Sequence, residues 1–200
     1  MEQIQPFDLV LFLALLAMFI VGYAQGVIRR LLGIAAIAFS LVLAAQLRDP
    51  LGRYLANEWT TIAPEYSFMV AFGAVFVAAA VTLSIGIQIT YRPAPLFNKY
   101  PVLDEILGGL LGVLEGFLIL IAILLITDPY YTQDAFRERA GIGEFGLLRN
   151  MHGWLDPTLT AAVLRDNVIP AILSVVGVLF PLDVRETFAQ VIGRLVVARG

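Results

Sequence analysis

The sequence predicts an all-α integral membrane protein, with four transmembrane helices and a C-terminal amphipathic or interfacial helical region. Hydrophobic residues make up 60% of the chain and charged residues only 14%, more apolar than a water-soluble domain of this size. Four long stretches carry no charge, the last interrupted only by Glu115: residues 9–28, 31–47, 67–91 and 106–127. A hydrocarbon layer about 30 Å thick is crossed by about 20 apolar residues of helix. Because lipid offers backbone amides no hydrogen-bond partner, each stretch is predicted to be a transmembrane helix.

The charge balance and the residue inventory exclude several classes of protein. A net charge of −3 gives no basic footprint for nucleic acid. With no cysteine, the chain has no disulfide and no thiolate metal site. The one histidine, His152, has Asp156 four residues later, but a metal or catalytic pair would need further ligands. The sequence therefore predicts no cofactor and no metal.

The first two spans form a predicted antiparallel hairpin. Helix 1 should run from about Asp8 to Ala24, and it is interpreted as a permanent span because no positive residue precedes it, as a secretory signal would require. Arg29 and Arg30 mark a short turn and are interpreted as topology anchors. Helix 2 should run from about Leu31 to Leu47, where Arg48-Asp49-Pro50 is expected to end it.

The third and fourth spans follow a polar connection. Trp59 and Tyr66 in that connection suit the headgroup level of a membrane. The third span should cover about Ser67 to Thr90, and several prolines after it predict an extended loop. Helix 4 is expected to start at Asp104-Glu105, since acids suit a helix N-terminus, and to end at Asp128-Pro129.

The composition divides the chain into a transmembrane domain, residues 6–127, and a more polar region, residues 128–200, which holds about half of the charged side chains. Within that region, Asn167 to Leu182 is apolar but interrupted by prolines. Its length suits an interfacial or re-entrant segment, with a fifth span as the alternative. Asp183 to Ala198 shows the spacing of an amphipathic helix on a surface, either lipid or protein.

The orientation follows from the distribution of basic residues. With four spans, Arg29, Arg30, Arg92 and Lys99 lie on one side, and no basic residue precedes the first span. The positive-inside tendency then favours an external amino terminus.

Glycines at intervals of four residues form a predicted packing seam. Gly108, Gly112 and Gly116 share one face of helix 4, and helix 1 offers Gly22 and Gly26. Between helices in lipid, close van der Waals packing of small residues supplies much of the attraction. The seam is therefore interpreted as a helix contact, with a sliding or pore-lining surface as the alternative.

Glu115 is the most unusual position of the sequence because it lies near the middle of a span. An ionised carboxylate there costs about 2.5–3.5 kcal/mol on insertion scales, so Glu115 should not face lipid. Helical spacing places it within about 20° of Gly108. Gln25 is a candidate hydrogen-bond partner, and Arg29 or Arg30 a candidate counter-ion. Two roles stay open: a paired or protonated structural carboxyl, and a group that handles protons or ions.

One motif does not carry its usual meaning. Residues 141–146, Gly-Ile-Gly-Glu-Phe-Gly, satisfy the dinucleotide-binding glycine pattern, but charged residues precede them where that fold needs a buried strand. The segment is predicted to be a flexible loop. Since no other catalytic motif occurs, the protein is interpreted as non-enzymatic.

The chain resembles the colicin V production protein family, CvpA, small bacterial membrane proteins usually drawn with four spans. The resemblance rests on two places, the first hairpin and the last span. The hairpin has Asp8, then Gly22 to Gly26, then Arg29-Arg30, and the last span has Asp104 to Gly108 followed by Gly112 to Gly116. The family commonly has basic residues where this chain has Gln25, Glu105 and Glu115, so no role of those charges carries over.

The resemblance implies a multi-pass protein of the bacterial plasma membrane that assists production or export of a toxin peptide and envelope homeostasis. Its expected partners are the lipid bilayer and a membrane protein or a second copy of the chain. The alternative function is a small ion- or proton-coupled transporter or channel that uses Glu115.

Overall fold

The described part of the chain is helical throughout its regular structure. The computed structural model describes residues 5–59, 63–91, 101–131 and 146–189. Its helices are α1 (Pro6–Gln25), α2 (Val27–Glu58), α3 (Pro64–Thr90), α4 (Pro101–Tyr131), α5 (Gly146–Leu155), α6 (Leu159–Leu179) and α7 (182–189). Within α6, residues Leu164–Val168 form a π-helical turn and Gly177–Leu179 a 3₁₀ turn.

The first four helices pack in the spatial order α1, α4, α2, α3. Helices α1 and α4 are antiparallel, since Gly22 lies against Gly108 and Leu15 against Gly116. Helix α2 runs parallel to α4, because Arg30 meets Glu115 near one end and Arg48 lies 5.8 Å from the Tyr130 ring near the other.

Helix α3 completes the bundle on the outer side of α2. Gly52 packs on Phe68, and Leu32 lies beside Ile87 and Tyr91. This pairing makes α2 and α3 antiparallel. The start of α1, the end of α2, the start of α3 and the end of α4 therefore meet at one end of the bundle, called here the capped end.

The outer faces of the bundle are apolar and exposed. Large exposed side chains occur on each of the four helices, among them Leu9, Phe12, Phe39, Val77, Val81, Ile89 and Leu110. Within the described residues, five helices are long and apolar enough to cross a membrane: α1, α2, α3, α4 and α6. Exposed apolar faces on helices long enough to cross a bilayer are typical of membrane proteins. The predicted all-α membrane protein is confirmed.

The buried core lies towards the capped end and extends into the C-terminal helices. Phe72 and Leu124 are fully buried within the bundle, and Ile169, Val184 and Phe188 belong to the same cluster. One continuous cluster therefore contains residues from both sides of the predicted boundary at residue 127. The division into two domains stays a prediction.

Both ends of α6 contact the capped end of the bundle. At its start, the backbone N–H groups of Leu159 and Thr160 donate to Asp8, over 3.3 and 3.4 Å. At its end, the side-chain amide of Gln46 donates to the carbonyl of Leu179 over 2.7 Å. Asp8 begins α1 and Gln46 lies in the second half of the antiparallel α2, so the two contacts are on the same side. A helix of 21 residues, about 30 Å long, therefore lies across the bundle end. This placement favours the interfacial segment over a fifth span, and the count of four spans stays a prediction.

The predicted end of helix 2 was wrong. Helix α2 does not stop at Arg48-Asp49-Pro50 but continues to Glu58, with Pro50 inside it. Proline removes one backbone hydrogen bond and strains the preceding turn. The contact of Gly52 with Phe68 and the ion pair of Arg48 with Asp183 hold this extension in place.

The predicted start and end of helix 4 were also wrong. Helix α4 begins at Pro101, three residues before Asp104, and continues through Pro129 to Tyr131. Tyr66, at the start of α3, is buried, and its ring centroid lies 6.5 Å from that of Tyr130 and 6.1 Å from that of Tyr131. Its position at the headgroup level stays a prediction. Burial of these aromatic rings stabilises the extra turn of α4.

The predicted amphipathic helix after Asp183 is helical up to residue 189. Val184 and Phe188 are buried in the core cluster, while Arg185 and Glu186 are exposed. Protein, not lipid, therefore covers the apolar face of this described part. Residues 190–200, the predicted loop at 92–100 and most of the glycine-rich segment, 141–145, lie outside the described residues.

Candidate functional site

The glycines of α4 form a seam against α1 in which backbones touch. A methyl group on Gly108 would lie 2.6 Å from the carbonyl oxygen of Gly22, and one on Gly112 would overlap the carbonyl oxygen of Met18. Gly116 continues the seam, where an added methyl would lie 2.8 Å from Leu15. Since real contacts of this kind are not shorter than about 3 Å, Gly108 and Gly112 admit only glycine at the observed helix spacing, because the atoms that they meet are backbone. At Gly116 the Leu15 side chain could move aside.

Gly26 makes the turn between α1 and α2. Its φ of 76° lies in the left-handed region, which glycine adopts without strain. A side chain there would also overlap the carboxylate of Asp104, which is buried in the first turn of α4. The turn residue is therefore fixed both by its backbone conformation and by the close approach of α4.

Glu115 faces α2, where its carboxylate accepts a hydrogen bond from the Arg30 guanidinium. The two side chains are 13% and 6% exposed, so the pair is almost entirely withdrawn from its surroundings. The Glu115 carboxylate also packs on the backbone of Gly33, where an added methyl would lie 2.7 Å from Oε1. Of the candidate counter-ions, the structure selects Arg30.

Gln25 is not placed to bind Glu115. It ends α1 immediately before Gly26, which contacts Asp104. Glu115 lies eleven residues further along α4, about 16 Å away at 1.5 Å per residue. Arg29 is half-buried in the first turn of α2, beside Arg30.

The geometry of Glu115 suits a structural ion pair better than a carrier of protons. Its carboxylate is hydrogen-bonded to Arg30 and packed against Gly33, whereas a group that carries protons or ions lines a water-filled path. The glycine seam joins α4 to α1, and the ion pair joins α4 to α2. Within the part of the chain that the structure describes, no group of three metal-ligating side chains occurs.

A second polar cluster joins α4, α5 and α6 at the capped end. Asp128, 1% exposed, accepts hydrogen bonds from Arg165 Nε over 2.6 Å and from Arg165 Nη2 over 2.7 Å. His152 Nε2 lies 2.9 Å from the same carboxylate. Arg165 also donates from Nη1 to Asp156 over 2.9 Å. One buried carboxylate thus receives a guanidinium fork and an imidazole, which ties the C-terminal helices to the bundle.

Sequence reasoning missed this cluster because its members are distant in sequence. From the sequence, Asp128 marks only the end of helix 4, and His152 has only Asp156 as a nearby candidate partner. The structure pairs His152 with Asp128, while Asp156 binds Arg165. One feature of the sequence could have indicated the cluster. Arg165 lies just before an apolar run, and an arginine in such a place must pair with a buried acid or reach water.

Asp8 has two roles, of which the sequence suggested one. Its carboxylate accepts from the backbone N–H of Gln5 over 3.0 Å, as a first-turn acid does. The same carboxylate lies at the start of α6, where Leu159 and Thr160 donate to it. A negative charge there also matches the positive end of the helix dipole.

Arg48 anchors α7 to the bundle. Its two terminal nitrogens donate to the two oxygens of Asp183, over 2.6 and 2.5 Å. The guanidinium lies 5.6 Å from the Phe68 ring centroid and 5.8 Å from that of Tyr130. These contacts place a paired charge between aromatic rings at the capped end.

Comparison with known protein families gives a match over most of the bundle. The family model described as colicin V production protein matches residues 7–138. This range contains α1 to α4, with the glycine seam and the pair of Glu115 and Arg30, whereas α5 to α7 lie beyond it. No curated protein and no solved structure matches the chain.

Proposed function

The chain belongs to the colicin V production protein family, and from that membership we propose that it assists the production or export of a toxin peptide at the bacterial inner membrane. We further propose that it contributes to envelope homeostasis and acts without catalysing a reaction. Lipid, and a membrane protein or a second copy of the chain, are the proposed partners.

The observation that carries this proposal is the paired state of the intramembrane charge. Glu115 is bound to Arg30, and the glycine seam closes α4 against α1 on the adjacent face. Close packing of the helices and the pairing of the intramembrane charge favour a role as a scaffold, a protein that presents binding surfaces to partners. A reaction centre or a water-filled path would instead need polar groups directed into open space.

Colicin V secretion tests the proposed role. A colicin V-producing strain that lacks its own family member would be complemented with this chain or with an empty vector. We expect the chain to restore the zone of killing on a sensitive lawn, and the protein to fractionate with inner-membrane vesicles. Full membrane expression without any restored killing would contradict the proposal.

The alternative transport function is separated by a flux measurement. Purified protein in liposomes with a pH-sensitive dye inside would be compared with the variant Glu115→Gln. The pairing with Arg30 predicts no protein-dependent proton flux in either sample. A flux that the substitution abolishes would favour transport. Crosslinking in native membranes, followed by identification of the captured protein, tests the proposed partner.

A further inference from the structure

A cleft of 630 Å³ opens at the capped end, between α2, α3 and the segment that joins α6 to α7. Three arginines line it: Arg48 and Arg53 from α2, and Arg185 from α7. Two aspartates, Asp49 and Asp183, oppose them. The cleft therefore has an excess of positive charge.

The three arginines of the cleft differ in exposure and in hydrogen bonding. Arg48 is 6% exposed, and both of its terminal nitrogens are bound to Asp183. Its Nε is buried without a hydrogen-bond partner, and the nearest carboxylate oxygen of Asp49 is 4.0 Å away. A buried N–H of this kind is costly unless a further acceptor reaches it. Arg53 and Arg185 are exposed, so their guanidinium groups are available to a ligand.

The cleft also lies next to the apolar part of α2. Arg48 directly follows the uncharged stretch 31–47 of α2. Two apolar side chains of the lining, Val178 and Leu182, are strongly exposed, at 81% and 67%. Arginine next to exposed apolar side chains matches a molecule with an anionic head and an acyl tail.

We propose that this cleft binds the phosphate headgroup of an anionic phospholipid, with its acyl chains along Val178 and Leu182. Arg53 and Arg185, the exposed arginines of the lining, supply the guanidinium donors that suit phosphate oxygens. Asp183 stays paired with Arg48 and keeps α7 in place. The site is independent of the proposed role in toxin production.

Native mass spectrometry of the purified full chain tests this site. The detergent-solubilised protein would be titrated with phosphatidylglycerol and, separately, with phosphatidylcholine of the same acyl chains. We expect phosphatidylglycerol to bind at least about tenfold more tightly, because phosphatidylcholine carries a compensating positive charge. Equal affinity for the two lipids would overturn the proposal.

Variants locate the site. The double variant Arg53→Gln/Arg185→Gln should lose most of the preference for phosphatidylglycerol, whereas Arg29→Gln at the opposite end of the bundle should keep it. Arg53 and Arg185 are exposed and Arg29 is half-buried, so these variants are expected to fold, and an unchanged unfolding temperature without lipid checks this. A preference that persists in the double variant would overturn the proposal. So would competition by inorganic phosphate at equal concentration, which would assign the cleft to free phosphate.

Discussion

Arg165 and Asp128 form a two-pronged ion pair between α6 and the end of α4, with nitrogen-to-oxygen distances of 2.6 and 2.7 Å. The residues are 37 positions apart in the chain. Asp128 is 1% exposed, so its charge depends on this guanidinium for compensation, and His152 Nε2 lies 2.9 Å from the same carboxylate. The pair is a buried polar attachment between the bundle and the α6 helix that lies across its end.

Removing the guanidinium should release that helix. In Arg165→Met the buried Asp128 carboxylate loses both hydrogen bonds from the guanidinium. Removing one partner of a buried ion pair costs about 3–5 kcal/mol of folding stability. We expect this loss in denaturant unfolding in mixed micelles, together with faster proteolysis within α6. Asp156→Asn is the control, because the Asp156 side chain is 37% exposed and should contribute less than about 1 kcal/mol. Equal stability of the two variants would contradict the assigned role.

The intramembrane pair should behave as a coupled unit. Glu115→Leu and Arg30→Leu each leave one buried charge without its partner, so each is expected to destabilise the bundle by about 3–5 kcal/mol. The double variant leaves no charge and should be much closer to the parent protein than the sum of the single effects. Mixed-micelle unfolding of the four proteins measures the coupling. Additive effects would show that the two side chains do not act together.

The glycine seam should reject even one methyl group. In Gly112→Ala the new methyl would overlap the Met18 carbonyl oxygen, which forces α1 and α4 apart. We expect a loss of about 1–3 kcal/mol, the usual range for overpacking. Gly86→Ala is the matched control, since no atom lies within 4 Å of its added methyl. Helix propensity predicts that this control is neutral or gains up to about 1 kcal/mol. If both variants lose the same stability, the seam is not a close contact.

Single cysteines can establish the number of spans, because the chain has none of its own. Leu159→Cys and Val178→Cys mark the two ends of α6, and Asn57→Cys marks the capped end of the bundle. With four spans, a membrane-impermeant maleimide should label all three from the same side of sealed vesicles. Val102→Cys, in the first turn of α4, should label from the other side. Labelling of Leu159→Cys and Val178→Cys from opposite sides would show a fifth span.

Composition and periodicity were enough to predict the membrane and the helices. Uncharged stretches of the length of a bilayer can be satisfied only as helices, so α1 to α4 follow from the sequence with errors at their ends. The observed helix ends differ from the predicted ones because tertiary packing outweighs the local helix-ending effect of proline. Pro50 and Pro129 signal helix ends, yet Gly52 on Phe68 and the rings of Tyr66 and Tyr130 stabilise the extra turns.

The sequence by itself determined the medium, the helical class and the small residues that allow close contact, since each of these depends on the local run of side chains. Only the tertiary structure decided the partners of the charges. It assigned Glu115 to Arg30, Asp128 to Arg165 and Arg48 to Asp183, residues separated by 85, 37 and 135 positions. A buried charge must find a counter-charge, but the sequence does not record which distant residue lies opposite. Helix order and register decide that choice, and they result from packing over the whole chain.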